Sequence, residues 1–267
     1  MDRLRGRACL VTGSTGMAAA AAELFAAEGA AVFVTSRTAD HCRGLAERLG
    51  TSGGRVEWCA AELTEPEQVE AAVAACVAAF GRIDGLFSVA GGSGRRFGDG
   101  PAHALTPEGW EATFALNART QALVAGAVAR AMLAQPPLEG AGRGSILLMS
   151  SVLAFRPVPA LFATHAYAAA KGAVAALARS MAASYAPQGI RVNAVAPSLV
   201  ATPMSERAAN DPTTAAYAVR KQPLAGGFLD PRDVAEAALF LLSDASRMVT
   251  GQLLTVDGGW SVTEAGA

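Results

Sequence analysis

Cysteine, net charge and long apolar runs are all scarce in this chain of 267 residues. Its four cysteines, Cys9, Cys42, Cys59 and Cys76, show no metal-ligand spacing. Four in a chain of this length are no disulfide framework either, so they read as core thiols in a reducing cytosol, and no metal is expected. The formal net charge of −1 offers nothing to nucleic acid or to an anionic membrane. No uncharged apolar run reaches the roughly 18 residues needed to span a bilayer. Met1 leads into the first apolar segment through a few polar residues, so no signal peptide is expected, and the expected location is cytoplasmic.

What the chain does have is 52% hydrophobic residues in an alternating order. Strands are predicted near 7–12, 31–35, 55–60, 83–89, 144–150, 190–196 and 252–256, and helices near 17–28, 39–49, 66–80, 108–134, 165–186 and 231–243. Continuous apolar strands such as Ala31-Val32-Phe33-Val34 suit a parallel sheet covered on both faces. The alternation predicts an α/β fold: a doubly wound, Rossmann-type sheet of about seven parallel strands in one domain spanning 1–267. A long irregular stretch, 197–231, is expected to act as a lid or binding loop.

Two motifs carry chemistry. Tyr167 and Lys171 lie four apart in an alanine-rich helical segment, so they share one face. A cation there is expected to lower the phenol's pKa from about 10, giving a group able to exchange a proton near neutral pH. Upstream, a short strand ends at Thr12 and is followed by Gly13-Ser14-Thr15-Gly16 and a helix beginning at Met17. Strand, glycine loop and helix form the context in which bare backbone approaches a pyrophosphate and a helix N-terminus faces it.

With these motifs in order, the chain resembles the short-chain dehydrogenase/reductase family over nearly its whole length, in particular its 3-oxoacyl-reductase-like branch. Asn117 matches the family's active-site asparagine, Ser151 at the end of the fifth strand its serine, and Tyr167 with Lys171 completes the tetrad. The resemblance implies hydride transfer between a nicotinamide and a carbonyl or secondary alcohol. Tyr167 would be the general acid/base, Lys171 would hold the nicotinamide ribose, Ser151 would bond the substrate oxygen, and Asn117 would hold a water beside Lys171. It places the dinucleotide on Gly13, Ser14, Thr15, Gly16, Met17, Ser36, Arg37, Glu62, Leu63, Ala90, Gly91, Tyr167, Lys171, Pro197, Ser198, Val200 and Thr202. Two other uses fit the same pattern: a non-redox lyase or epimerase, and a non-catalytic dinucleotide-binding protein.

Cofactor choice turns on the end of the second strand. A site for NAD(H) places an acid about 20 residues after the glycine loop. Here Ser36 and Arg37 stand there instead, and an arginine fork suits a 2′-phosphate, so NADP(H) is favoured over NAD(H). The departures from the family pattern also surround the cofactor. The glycine loop is one residue short, and Ala18 or Ala19 replaces its third glycine, which is expected to push the helix from the strand. Ser88-Val89-Ala90-Gly91 lacks the amide that ties neighbouring strands, and Ser198 replaces a glycine.

The substrate, a small carbonyl or alcohol compound, is expected to meet 92–101, 152–166 and the lid. Arg95, Arg96 and Arg156 are candidates for an anionic group, against the ordinary fate of exposed arginine, which is solvation. His165, two residues from Tyr167, faces elsewhere on the helix and reads as a helix-start residue or a pocket lining, not a base. The segment 166–186 is apolar around most of its circumference, so part of it is expected to meet another subunit, and the resemblance implies a homodimer or homotetramer in contact through it and the 108–134 helix.

Overall fold

In the computed structural model, which describes residues 2–138, 140 and 142–264, seven parallel strands form one sheet in the order β3-β2-β1-β4-β5-β6-β7. The strands are β1 (Ala8–Thr12), β2 (Ala31–Ser36), β3 (Val56–Ala60), β4 (Gly85–Ser88), β5 (Gly144–Met149), β6 (Ile190–Pro197) and β7 (Leu253–Val256). Each lies within two residues of its predicted bounds. Every residue of β1, β4 and β5 is buried, which explains why their sequences are apolar without alternation.

Successive strand residues point to opposite faces, and the two cores divide accordingly. Val11, Phe87 and Leu147 pack on one face with α1 (Met17–Ala27), α2 (Ala39–Thr51) and α10 (Pro231–Leu242). Leu10, Leu86, Ile146 and Leu148 pack on the other with α3 (Pro66–Phe80), α5 (Thr120–Ala134) and α7 (His165–Tyr185). β1 pairs with β2 on one side and β4 on the other. The strand order therefore reverses between β1 and β4, which opens a crevice at their carboxyl ends.

Two expectations are corrected. The predicted helix 108–134 is α4 (Pro107–Phe114), a π-helical turn over Ala115–Arg119, then α5. Inside the turn Asn117 Nδ2 donates to the Thr113 carbonyl at 2.9 Å, and Thr120 Oγ1 donates to that of Ala115 at 2.9 Å. Side chains thus compete for carbonyls that the regular ladder would use, and the helix widens there. The predicted irregular stretch 197–231 contains a 3-10 turn over Pro203–Ser205, then α8 (Glu206–Ala209) and α9 (Pro212–Lys221). Asp211 caps α9 by accepting from Thr214 N at 2.9 Å, with Pro212 at the first helical position. The base of this segment is tied down. Val200 bridges Leu229, and buried Gln222 bonds both Leu199 N (2.9 Å) and Leu199 O (3.0 Å). Between β5 and α7 the chain makes a short turn over Val152–Ala154 and a single helical turn, α6 (Pro159–Phe162).

Candidate active site

The glycine loop joins β1 to α1 at the crevice. Gly13 has φ +105° and Gly16 has φ +54°, a region that disfavours side chains. A Cβ at Gly13 would lie 2.9 Å from the Ala18 methyl, and one at Gly16 would lie 2.9 Å from the Thr202 methyl. The methyl that replaces the third glycine therefore fits into space left by Gly13, and Ala18 is fully packed in the core. α1 starts without a side-chain cap and without an acid in its first turn, so apart from Ala18 N, which donates to Thr15 O at 3.2 Å, its first N–H groups face an anion uncapped. The tie between strands comes from a residue the sequence reading passed over: Thr12 Oγ1 accepts from Val89 N at 2.9 Å and Ala90 N at 3.0 Å. Ser88 Oγ is buried and has no partner among the described residues.

Two cavities flank this loop. One, of about 320 Å3, is lined by Gly13, Ser14, Thr15, Ser36, Arg37, Glu62, Leu63, Ala90 and Gly91, together with Thr38, His41, Ala61, Leu116 and Thr120, which sequence reasoning missed. Ser36 Oγ lies 2.8 Å from Ser14 Oγ and 3.0 Å from Cys42 Sγ. Arg37 projects into solvent, with Glu62 3.7 Å away. The other, of about 370 Å3, is lined by Ser151, Tyr167, Met17, Ser198, Val200 and Thr202, with an apolar wall including Val152, Leu153, Phe162, Leu199 and Trp260. Ser198 Oγ and Trp260 Nε1 are buried without partners among the described residues. Pro197 ends β6 and Gly16 backs Thr202; neither lines a cavity. A bare-backbone loop, an uncapped helix and an orphaned hydroxyl fit a bound dinucleotide running from one cavity to the other.

The four tetrad positions converge from three elements. Lys171 and Tyr167 share one face of α7, with Nζ 5.6 Å from the phenol ring centre. Lys171 is 2% exposed, and Nζ donates to the Met149 carbonyl at 2.9 Å. Gln121 from α5 clasps the same residue, Nε2 donating to Met149 O and Oε1 accepting from Met149 N, both at 2.8 Å. Asn117 is buried in the π-turn, and its Nδ2 also donates to the Gly92 carbonyl at 2.9 Å. A Cβ at Gly91 would lie 2.7 Å from Asn117 Oδ1 and 3.4 Å from Lys171 Nζ. Ser151, nearly buried two residues past β5, accepts from Leu153 N at 3.2 Å and lines the cavity beside the Tyr167 phenol. Lys171 and Asn117 thus stand behind the cavity wall that Tyr167 and Ser151 form.

Burial raises the Tyr167 phenol to about 12, with the neighbouring Ser151 hydroxyl acting to lower it. It also brings Lys171 down to about 7. The expectation of a phenol titrating near neutrality is not met in the chain alone, because the burial that surrounds the pair also weakens the ammonium charge meant to lower it. α7 is held at its start by another residue missed in the sequence. The buried carboxylate of Asp99, on the 92–101 loop, accepts from Ala166 N and Tyr167 N, both at 3.0 Å. His165 is exposed at the head of α7, its N donating to the Gly100 carbonyl, and lines neither cavity. Arg156 donates to the Ser261 carbonyl at 3.2 Å and lines neither cavity, whereas Arg95 and Arg96 both line the larger one.

Comparison with known proteins agrees with this geometry. A family model described as enoyl-(acyl carrier protein) reductase matches residues 11–261. A D-threitol dehydrogenase of Mycolicibacterium smegmatis is 34% identical over 97% of this chain and 95% of its own length. A cis-4-hydroxycyclohexanecarboxylate dehydrogenase of Sinomonas cyclohexanicum is 36% identical over 96% of both. The solved structure of a short-chain type dehydrogenase/reductase from Mycobacterium ulcerans superposes with a TM-score of 0.88 at 30% identity, covering 98% of this chain and 92% of that one. The chain belongs to the short-chain dehydrogenase/reductase family and is a nicotinamide-dependent oxidoreductase acting on alcohol or carbonyl groups.

Proposed function

We propose that the chain is an NADP(H)-dependent carbonyl reductase or alcohol dehydrogenase in which Tyr167 handles the proton. The observation that carries this reading is Tyr167 and Ser151 side by side on the wall of an apolar cavity, close enough for Ser151 to lower the phenol's pKa, with Lys171 buried directly behind. In the balanced reaction a carbonyl compound, NADPH and one proton give the alcohol and oxidised NADP, and the reverse direction returns all three. When bound, the nicotinamide supplies or takes the hydride. Ser151 donates a hydrogen bond to the substrate oxygen as charge gathers on it. Tyr167, a neutral phenol at neutral pH, gives its proton to that oxygen in reduction and recovers one in oxidation. Lys171, fixed by Met149 O, holds the nicotinamide ribose, and Asn117, anchored on Gly92 and Thr113, orders water beside it. Relatives named as dehydrogenases of D-threitol and of cis-4-hydroxycyclohexanecarboxylate support a CH–OH substrate.

The smaller cavity takes the adenosine half. Arg37 and Ser36 meet the 2′-phosphate, since no acid occupies the end of β2. α8 and α9 form the lid over the substrate, hinged on the Gln222 ties. The protein assembles as a dimer or tetramer through α5 and α7. The outer face of α7 offers the small residues Ala169, Ala176 and Ala183. Four free cysteines suit a cytoplasmic location. Titration with NADPH and NADH, followed by nicotinamide fluorescence, tests the cofactor reading. At least ~tenfold tighter NADPH binding is expected, as one charge-assisted contact is worth about 1.5–3 kcal/mol. Equal affinities would refute it.

A further inference from the structure

The larger cavity carries charge of one sign. Arg95, Arg96 and Arg207 line it, and no aspartate or glutamate does. None of the three forms an ion pair among the described residues. Arg95 Nη2 donates to the Leu161 carbonyl at 3.2 Å, and Arg96 lies over the Phe97 ring at 4.5 Å. Arg95 and Arg207 are close enough that the Arg207 charge, after burial, disfavours protonation of Arg95. The nearby acids are already engaged: Asp99 accepts from Ala166 N and Tyr167 N, and Asp211 caps α9. Asp99 and Asp211 offset the Arg95 and Arg207 charges without an ion pair to either, and an oxyanion between the guanidinium groups would meet them directly with forked hydrogen bonds. The rest of the wall is apolar: Val152, Leu153, Phe162, Leu199, Met204 and Trp260.

These two observations fix opposite ends of a ligand. We infer that the substrate is a hydroxy or oxo carboxylate with a compact apolar body. Its carboxylate is received by Arg95 and Arg207, with Arg96 at the rim, and its reacting carbon is presented to Tyr167 and Ser151. The inference rests on the oxidoreductase reading of the same site. Arg95 sits on the loop after β4 and Arg207 on α8 of the lid, so a carboxylate held by both would draw the lid toward the body of the protein.

The test uses unreactive probes on the intact protein saturated with NADPH: cyclohexanecarboxylate and its neutral isostere cyclohexanecarboxamide, titrated by calorimetry. The carboxylate should bind at least ~tenfold tighter, and the preference should weaken at high salt. In an Arg95→Met, Arg207→Met double variant the two probes should bind alike, with NADPH affinity unchanged. Equal binding in the unmodified protein, no binding of the carboxylate, or a preference that survives in the double variant would overturn the inference. NADPH binding and turnover of neutral cyclohexanone, measured on the same samples, report on the oxidoreductase reading separately. A protein that binds NADPH and reduces cyclohexanone but ignores the carboxylate fails only the present inference.

Discussion

The two most deeply buried tetrad side chains, Lys171 and Asn117, are set by contacts outside the tetrad. Lys171 is fixed by Met149 O, which Gln121 in turn holds from α5. Its buried amine titrates at about 7, while an unfolded lysine titrates near 10.4. Between those values the unfolded chain binds the extra proton, so this residue's contribution to stability rises with pH from about 7 to about 10.4 and is lost as pH falls through 7. Chemical denaturation at pH 7 and pH 9.5 should show unmodified protein gaining more stability than Lys171→Met. Tyr167 leads to a second pH dependence. With its phenol pushed up to about 12, the proton-donating form dominates across the ordinary range and the proton-accepting form is scarce. Alcohol oxidation should therefore rise with pH through the alkaline range while carbonyl reduction stays nearly flat, which steady-state rates from pH 7 to 10 would show. At this scale the tetrad was legible because its residue types and order are distinctive. Thr12, Gln121 and Asp99 were not, because each acts on backbone groups far away in sequence, 77, 28 and 67 residues off, and no local pattern marks such a bond.

The elements position these residues through their ends and irregularities. The π-turn between α4 and α5 puts Asn117 against Gly92, and Gly91 leaves the space through which Asn117 and Lys171 approach. Gly91→Ala should cut turnover at least ~tenfold by inserting a methyl where 2.7 Å is available, with little change in Arg37-dependent NADPH recognition. Asp99 caps α7 from a loop, satisfying the N–H of Tyr167 itself. Its replacement by alanine should cost about 1 kcal/mol of stability, typical of a lost cap. It should also lower kcat more than the KM for NADPH, since it shifts Tyr167 and not the cofactor loop. Thermal melts together with steady-state kinetics check both. The boundaries of the strands were readable because fully buried parallel strands are apolar runs. The break in the 108–134 helix was hidden because the π-turn comes from side chains bonding to the backbone, which hydrophobic periodicity does not encode. The cap at Asp211-Pro212 was a visible signal, masked by the density of prolines around it.

The whole molecule joins two cavities across one switch point of the sheet, between β1 and β4. That junction is what brings the glycine loop, Tyr167 with Lys171, and the 197–231 segment to one end of the sheet, and it follows from the parallel strand order. The charge distribution was only partly legible in the sequence, where Arg95 and Arg96 stood out but Arg207 did not. The net charge is only −1, yet folding gathers Arg95, Arg96 and Arg207 around one cavity from segments more than 100 residues apart. At the other cavity, Arg37→Ala should weaken NADPH binding at least ~tenfold and leave NADH binding unchanged, a selective effect that a general loss of structure would not produce.

The most direct test of the central claim is turnover by Tyr167→Phe, followed as NADPH oxidation with cyclohexanone, beside NADPH affinity measured by fluorescence. Loss of the phenolic proton should reduce kcat by about 10²–10⁴-fold, the usual worth of a positioned acid, with NADPH affinity nearly unchanged. A variant that binds NADPH as before and still turns over at the unmodified rate would contradict the assignment of Tyr167 as the proton donor.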